Sequence, residues 1–516
     1  MAKNPVIWSD YPDLDPIRVG DTYYMVSTTM YFMPGCVILR SYDLLHWENA
    51  VHVYAELDNT PAQRLEDGKQ IYGAGMWAAS LRYHNGKFYL VFICNDTHAT
   101  YLYTATDIEG PWEKHTIEGF YHDSSLLFDD DGRVYLAYGN SDIYLTELKP
   151  DLSGPLPGGR NRLIVRDMTE HNLGYEGTHF YKINGRYYLF FIHMPKGAPV
   201  SRTNACFWAD SLDDEFVGQE IFADDMGYRR SGVAQGGIVD TPDGKWYMTL
   251  FQDHGAVGRV PVLVPMHWEN GIPVCGVDGK TPKELELPST QPDHVYRPLV
   301  DSDDFHDCPN GMPRDIWQWN HTPDRANWSL TERPGAYRIR NGRCAPNVHY
   351  AVNTLTQRTY GPCCAAEVTL DGSAMKDGDV AGLAALLSCY GMIGLKKEAG
   401  EYVLTMCSVD PTGGSRGFGP GMRTRFLNQE PPKEIARVPS GAVVRLRAVC
   451  DFTDDADMAQ FYFEQDGKWV PLGVPQKLVY RLDYFTGCRF GLFSYATTTP
   501  GGHVDFMDFR YEKKEV

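Results

Sequence analysis

The sequence predicts an all-β protein, with a five-bladed β-propeller over residues 1–290 followed by a β-sandwich over residues 291–516. Three observations carry this expectation. A hairpin with a glycine-bearing turn recurs five times in the first 290 residues. Aromatic residues make up 13% of the chain, a level that suits pleated sheet. From Ser302 the hairpin pattern stops and short, evenly alternating strands take over.

The hairpin is clearest in GYEGTHFYKINGRYYLFF, residues 174–191. There Asn184-Gly185 separates two apolar runs, and both turn residues tolerate positive φ. Its relatives are RVGDTYYMVS around Gly20, RYHNGKFYLVF around Gly86, FDDDGRVYLAYG around Gly132 and DTPDGKWYMTLF around Gly244. Successive turn glycines lie 66, 46, 53 and 59 residues apart. That length holds four strands per unit, and radial repetition of such units limits exposed sheet edges. A two-sheet sandwich is the alternative, but it requires no hairpin at that interval.

The repeat also defines equivalent positions. Nine residues before the turn glycine stand Trp77, Asp123, Glu176 and Gln235; the first turn is two residues tighter, and its matching position is Asp13. An apolar residue follows each of the five, four positions on: Ile17, Leu81, Leu127, Phe180 and Val239. Inner strands of a propeller converge on a channel, so these residues are expected to ring one mouth of it. Asp10 and Asp15 compete with Asp13, and only the register favours Asp13, while Asp129, Asp130 and Asp131 read as turn residues. With 67 acids in 516 residues, about one position in eight is acidic by chance, so three in five is an uncommon set. The alternative is that these carboxylates are turn-forming or capping groups.

Three carboxylates and a Trp suit glycoside hydrolysis, in which one acid protonates the leaving oxygen and one carboxylate activates water or attacks. Like charges held close together push one carboxyl pKa upward. Gly177, directly after Glu176, leaves room for a ligand near the backbone.

The stretches YPDLDPIRVGDTYYMVSTTMYFMPG, GMWAASLRYHNGKFYL, YHDSSLLFDDDGRVYL and GYEGTHFYKINGRYYL resemble, in order, the signatures of glycoside hydrolase family 43 across the first 270 or so residues. The resemblance implies a five-bladed propeller of inverting hydrolases acting on xylose- and arabinose-containing glycans. It implies Asp13 as general base, Glu176 as general acid, and Asp123 as the residue that raises the acid's pKa and orients it. Phe32 and Trp77 are similar to the family's hydrophobic subsite walls, with core packing the alternative for Phe32. Arg259, in GAVGRVPVL, matches an arginine that reaches the active site in family xylosidases. Gln235 departs from the pattern, because many members carry a histidine there, sometimes linked to calcium in the channel. No metal role is therefore assigned, no cofactor is expected, and a structural calcium in the channel stays open. His254 is a nearby candidate to compensate, against the bland reading of a hydrogen-bonded structural histidine.

Residues 280–300, rich in Pro and charge, read as a linker. Expected sandwich strands beyond it are AAEVTLDG, EYVLTMCSVD, VVRLRAVCDF, AQFYFEQDGKWVPLG and GCRFGLFSYAT. The segment IWQWNHTPDRANWSLTERPGAYRIR resembles the lectin-like (concanavalin-like jelly roll) sandwich appended to family 43 β-xylosidases and arabinofuranosidases. A loop of such a sandwich can close one side of the pocket, and residues 495–503, YATTTPGGH, are the candidate; a purely stabilising role is the alternative.

The formal net charge of -19 argues against nucleic acid or an anionic membrane as partner and fits a neutral oligosaccharide. No run approaches the roughly 18 apolar residues of a membrane span, and MAKNPVIWSDYPDLD lacks a signal-peptide core, so a cytoplasmic location is expected. Twelve cysteines without a C-x-x-C pair argue for buried thiols rather than zinc ligands. The resemblance also suggests a homo-oligomer. The resulting expectation is an exo-acting, inverting hydrolase releasing xylose from β-1,4-xylo-oligosaccharides, its two carboxyls roughly 6.5–9.5 Å apart. An α-L-arabinofuranosidase is the alternative within the class, and a non-catalytic sugar-binding propeller the alternative outside it.

Overall fold

Five four-stranded antiparallel sheets follow one another along the chain in the computed structural model, which describes residues 2–409 and 429–514. Their inner hairpins pair Asp15–Val19 with Thr22–Ser27, Met76–His84 with Lys87–Cys94, Ser125–Phe128 with Val134–Asn140, His171–Ile183 with Arg186–Pro195, and Ile238–Asp240 with Trp246–Asp253. At the five tips Gly20, Gly86, Gly132, Gly185 and Gly244 have φ between +61° and +83°. A side chain at any of them would meet nothing within 4 Å, so the backbone conformation alone accounts for glycine there.

The aromatic-rich strands that follow the tips are largely buried on both faces, whereas outer strands such as Glu113–Ile117 and Val217–Phe222 are mostly exposed. In Arg186–Pro195, Tyr187, Leu189 and Phe191 join a core with Leu127 and Ile143 of the third blade, whereas Tyr188 and Phe190 join one with Met248 and Leu250 of the fifth. That is the two-residue alternation of a strand with apolar neighbours on either side. Equivalent cores join blades one and two (Val26, Leu81), two and three (Leu102, Leu136), and five and one (Val239, Met25), so the ring closes. Ala2–Lys3 pairs with Glu284–Leu285, and Leu14 bridges Gly236, tying the first residues to the last blade. Residues 286–300 run along blade one, where the Thr290 amide donates to Tyr42 O at 2.8 Å and the Arg297 amide to Glu48 Oε2 at 2.9 Å.

The remaining strands form a two-sheet concanavalin-like sandwich. One sheet runs Lys433–Ser440, Glu401–Ser408, Gly391–Glu398, Asp379–Leu386, Arg489–Ala496, Leu355–Arg358, Gln318–Asn320 and then, from the propeller, Phe32–Met33. The other contains Cys363–Asp371, Val443–Asp451, Met458–Gln465 and His503–Lys514. All five expected strand segments are present; Asp410, the end of EYVLTMCSVD, lies outside the described residues. One continuous apolar core includes Met30, Tyr31, Tyr72 and Val257 of the propeller with Tyr350, Leu355 and Tyr484 of the sandwich. The two units are therefore fused by burial, not merely linked. Among the described residues no helix is long and apolar enough to cross a membrane, and all twelve cysteines are free thiols.

Candidate active site

The five equivalent positions share a backbone irregularity. Asp13, Asp123 and Gln235 precede the inner strands of blades one, three and five with φ of 56°, 47° and 65°, in the left-handed region. Trp77 and Glu176 lie inside the inner strands of blades two and four, where the register slips between Trp77 and Ser80 and between Glu176 and His179. Gly177, with φ +64°, completes the second irregularity. Left-handed non-glycine residues cost of order 1–3 kcal/mol each and persist where surrounding structure enforces them. Bulges likewise re-aim side chains near sites. Each device turns one side chain out of the strand's alternation at the mouth of the channel.

The acids meet there. His122 Nδ1 lies 3.7 Å from Asp123 Oδ1, and its Nε2 contacts Glu176 Oε1. Burial, reinforced by the negative charges of Glu176 and Asp13, pushes the Asp123 carboxyl up to about 7 against the opposing pull of His122. The Asp123 carboxyl therefore holds its proton into the neutral range. Gln235 packs over Gly177 so tightly that a Cβ there would stand 2.5 Å from its Cδ.

Three aspartates in six residues have three different surroundings. Asp13 accepts from Arg259 Nη1 at 3.1 Å. Asp15 is buried between Arg82 Nη1 at 2.6 Å and His179 Nδ1 at 2.9 Å; burial alone would raise its pKa, but Arg82, His179 and the Leu81 amide hold it below the ordinary range. Asp10 accepts the amides of Arg259 at 2.8 Å and Gly487 at 2.9 Å, and so ties the propeller to a sandwich loop. Of the three, Asp13 is the one whose charge acts on the Asp123 carboxyl.

That sandwich loop completes the site. Phe485, with φ 61°, sets its ring 5.2 Å from Trp77, and the Arg259 guanidinium lies 4.7 Å from the Phe485 centroid. Trp77 and Phe485 are both partly exposed, and together they offer apolar faces beside the carboxylates. The loop expected to do this, residues 495–503, instead bonds within the sandwich: Thr497 Oγ1 donates to Gly378 O at 2.7 Å and the Gly501 amide to Asn341 O at 2.8 Å. Phe32 likewise is no subsite wall. It has zero exposure, sits at the edge of the sandwich sheet opposite Asn320, and carries the Arg489 guanidinium 3.5 Å above its ring. Core packing explains it.

His254 is also structural. Its ring stacks 4.0 Å from Tyr228, Nε2 lies 2.7 Å from Gln252 Oε1, and burial lowers its pKa to about 4. Among the described residues His122, Asp123 and Glu176 form one group whose ligand atoms lie within 4.8 Å of one another. The sequence reading missed His122, although it stands beside Asp123 in YHDSS, because only one column of the repeat was compared. It also missed Phe485, for which no local signal exists.

A propeller with three carboxylates at its mouth and aromatic faces beside them has the architecture of a carbohydrate-active enzyme. The model of glycosyl hydrolases family 43 matches residues 2–273, and that of the β-xylosidase C-terminal concanavalin A-like domain matches residues 302–512, so the chain belongs to glycoside hydrolase family 43. A β-xylosidase of Formosa agariphila is 26% identical over 99% of this chain and 90% of its own length. A non-reducing end α-L-arabinofuranosidase of Bacteroides ovatus is 27% identical over 66% of this chain and 64% of its own. A solved structure, a bifunctional GH43-CE protein of Bacteroides eggerthii, superposes with a TM-score of 0.91 at 42% identity, covering 100% of this chain and 64% of that one. This chain therefore spans less than two thirds of the length of the last two relatives.

Proposed function

We propose that the protein is an exo-acting, inverting glycoside hydrolase that releases xylose from β-1,4-xylo-oligosaccharides. The observation that carries the reading is the grouping of Asp123 and His122 with Glu176, 53 residues on along the chain, where burial and the charges of Glu176 and Asp13 push the Asp123 carboxyl up to about 7. Binding a neutral sugar needs no such retained proton, whereas general acid catalysis does.

In this reading Asp13, paired with Arg259, takes a proton from water. The water oxygen bonds to the anomeric carbon from one side as the glycosidic C–O bond breaks on the other. Glu176 delivers its proton to the leaving oxygen, which inverts the anomeric centre. Asp123 and His122 hold and orient that proton. Trp77 and Phe485 face the sugar ring, and the 480–487 loop limits the chain on one side, which supports action at chain ends. The kinship to an arabinofuranosidase supports a second reading, removal of terminal α-L-arabinofuranose by the same groups. Homo-oligomer formation follows from the family alone and is checked by sedimentation.

Hydrolysis of paired nitrophenyl β-xyloside and α-arabinofuranoside, with NMR of the first anomer released, ranks the two sugars and tests inversion; a retained anomer refutes the mechanism. Glu176→Ala is expected to lower turnover of xylobiose by about 10²–10⁴-fold while xylose still binds. An unchanged rate in this variant refutes Glu176 as the general acid.

A further inference from the structure

We infer that Asp167, His171 and His193 form a site for a divalent transition-metal ion, separate from the acidic ring. Asp167 follows the outer strand Asn161–Arg166 of blade three, whereas His171 opens the inner strand of blade four, His171–Ile183. His193 lies on the neighbouring strand, beside Ile192, the partner of Glu176. The cluster therefore joins two blades at the end of the strand that carries Glu176.

The groups converge on one atom. Asp167 Oδ2 stands 3.0 Å from His171 Nδ1 and 3.0 Å from His193 Nε2, on a side chain with no exposure. Neither approach has hydrogen-bond geometry, and no hydrogen bond reaches Oδ2. The other oxygen, Oδ1, is occupied: it accepts from the Thr169 amide at 2.9 Å and from Thr169 Oγ1 at 2.7 Å.

The ring nitrogens that face Asp167 also face Thr169. His193 Nδ1 lies 2.5 Å from Glu220 Oε1, which calls for N–H at Nδ1 and a lone pair at Nε2. His171 Nε2 lies 3.4 Å from Ser141 Oγ, and with no metal bound its Nδ1 carries the proton, because Thr169 O is a carbonyl and can only accept. Thr169 O is 3.0 Å from that Nδ1, and Thr169 Oγ1 is 3.3 Å from His193 Nε2. A metal ion would displace the Nδ1 proton and reach His193 Nε2 and Asp167 Oδ2, the carboxylate oxygen that no hydrogen bond reaches.

Carboxylate–histidine–metal chains of this kind fix ring orientation in metalloproteins. With bonds of about 2.1 Å, ligand atoms 3.0 Å apart subtend about 90° at the metal, the cis angle of an octahedron. Two imidazoles and one carboxylate suit Zn²⁺, Co²⁺ or Ni²⁺ and not Ca²⁺. The competing occupant is a proton, with His193 as an imidazolium between Asp167 and Glu220.

The full chain, freed of metal by a chelator and dialysed, is titrated with Co²⁺ and followed by d–d absorption, with Zn²⁺ displacement and the melting temperature as further readouts. The site predicts bands that saturate at one equivalent, vanish on Zn²⁺ addition and accompany a rise in melting temperature. His171→Ala, at a partly exposed ring, and Asp167→Asn are each expected to weaken binding by at least about tenfold. Absence of saturable binding leaves the proton as occupant and overturns the site. Equal stoichiometry and spectra in both variants overturn it too, by locating the metal elsewhere, such as at His122, Asp123 and Glu176.

Discussion

The two ends of the five inner hairpins obey opposite rules. At the tips, five glycines adopt one conformation in open space, and the residue is dictated by backbone alone. At the channel ends, five different residues (Asp13, Trp77, Asp123, Glu176 and Gln235) occupy one equivalent place, each at a left-handed residue or a bulge. Repetition therefore persists where only the turn must close. It is abandoned where side chains meet one another and a ligand.

The sharpest way to test this contrast is to place the same substitution at both ends. Gly177→Ala puts a Cβ at φ +64° and 2.5 Å from Gln235 Cδ. A loss of roughly 2–4 kcal/mol in chemical denaturation and a collapse of xyloside turnover are expected. Gly86→Ala, the smallest effect of the series, should cost about 1–2 kcal/mol and leave kcat within about twofold. Equal effects on kcat at the two positions would abolish the distinction.

Asp123→Asn separates catalysis from stability. The folded carboxyl titrates at about 7 against an ordinary 3.8, so folding is penalised whenever Asp123 must ionise. The penalty is absent below pH about 4, grows as pH rises and is complete above about 7, with an upper bound of ~4 kcal/mol. The variant should therefore melt higher than the parent above pH 7 and match it near pH 4, while losing most turnover. Melting curves at the two pH values check the sign. In the parent, kcat/KM should fall on the alkaline side of about 7 as Asp123 loses its proton.

Phe485→Ala tests the sandwich's share of the site. Loss of one apolar face should raise KM by ~2–10-fold, with a smaller change in kcat. An unchanged KM would make the loop a structural strap only.

Much of the propeller was legible because its signals are local. Turn glycines, Asn-Gly tips and aromatic runs report the conformation of a few neighbouring residues, and their spacing reports the blade. The sandwich was less legible: Asp379–Leu386, DVAGLAAL, is buried along its whole length and lacks alternation, so no period marks it. In the site, the register picked out Asp13 among three neighbouring aspartates. Phe32 and Phe485 show where it stopped. Their sequences do not tell which ring lies under a sheet edge and which faces the carboxylates, because docking of the second domain decides both.

By itself the sequence determined the strands, the turns and the column of residues at the head of each blade, since these depend on backbone preference and short-range alternation. Only the tertiary structure decided that Asp15 is neutralised by Arg82 and His179, that Asp123 keeps a proton, and that a loop 400 residues beyond Trp77 supplies its aromatic partner. Charge interaction and desolvation act through space, and the distances that set them exist only once the ring has closed and the sandwich has packed against it.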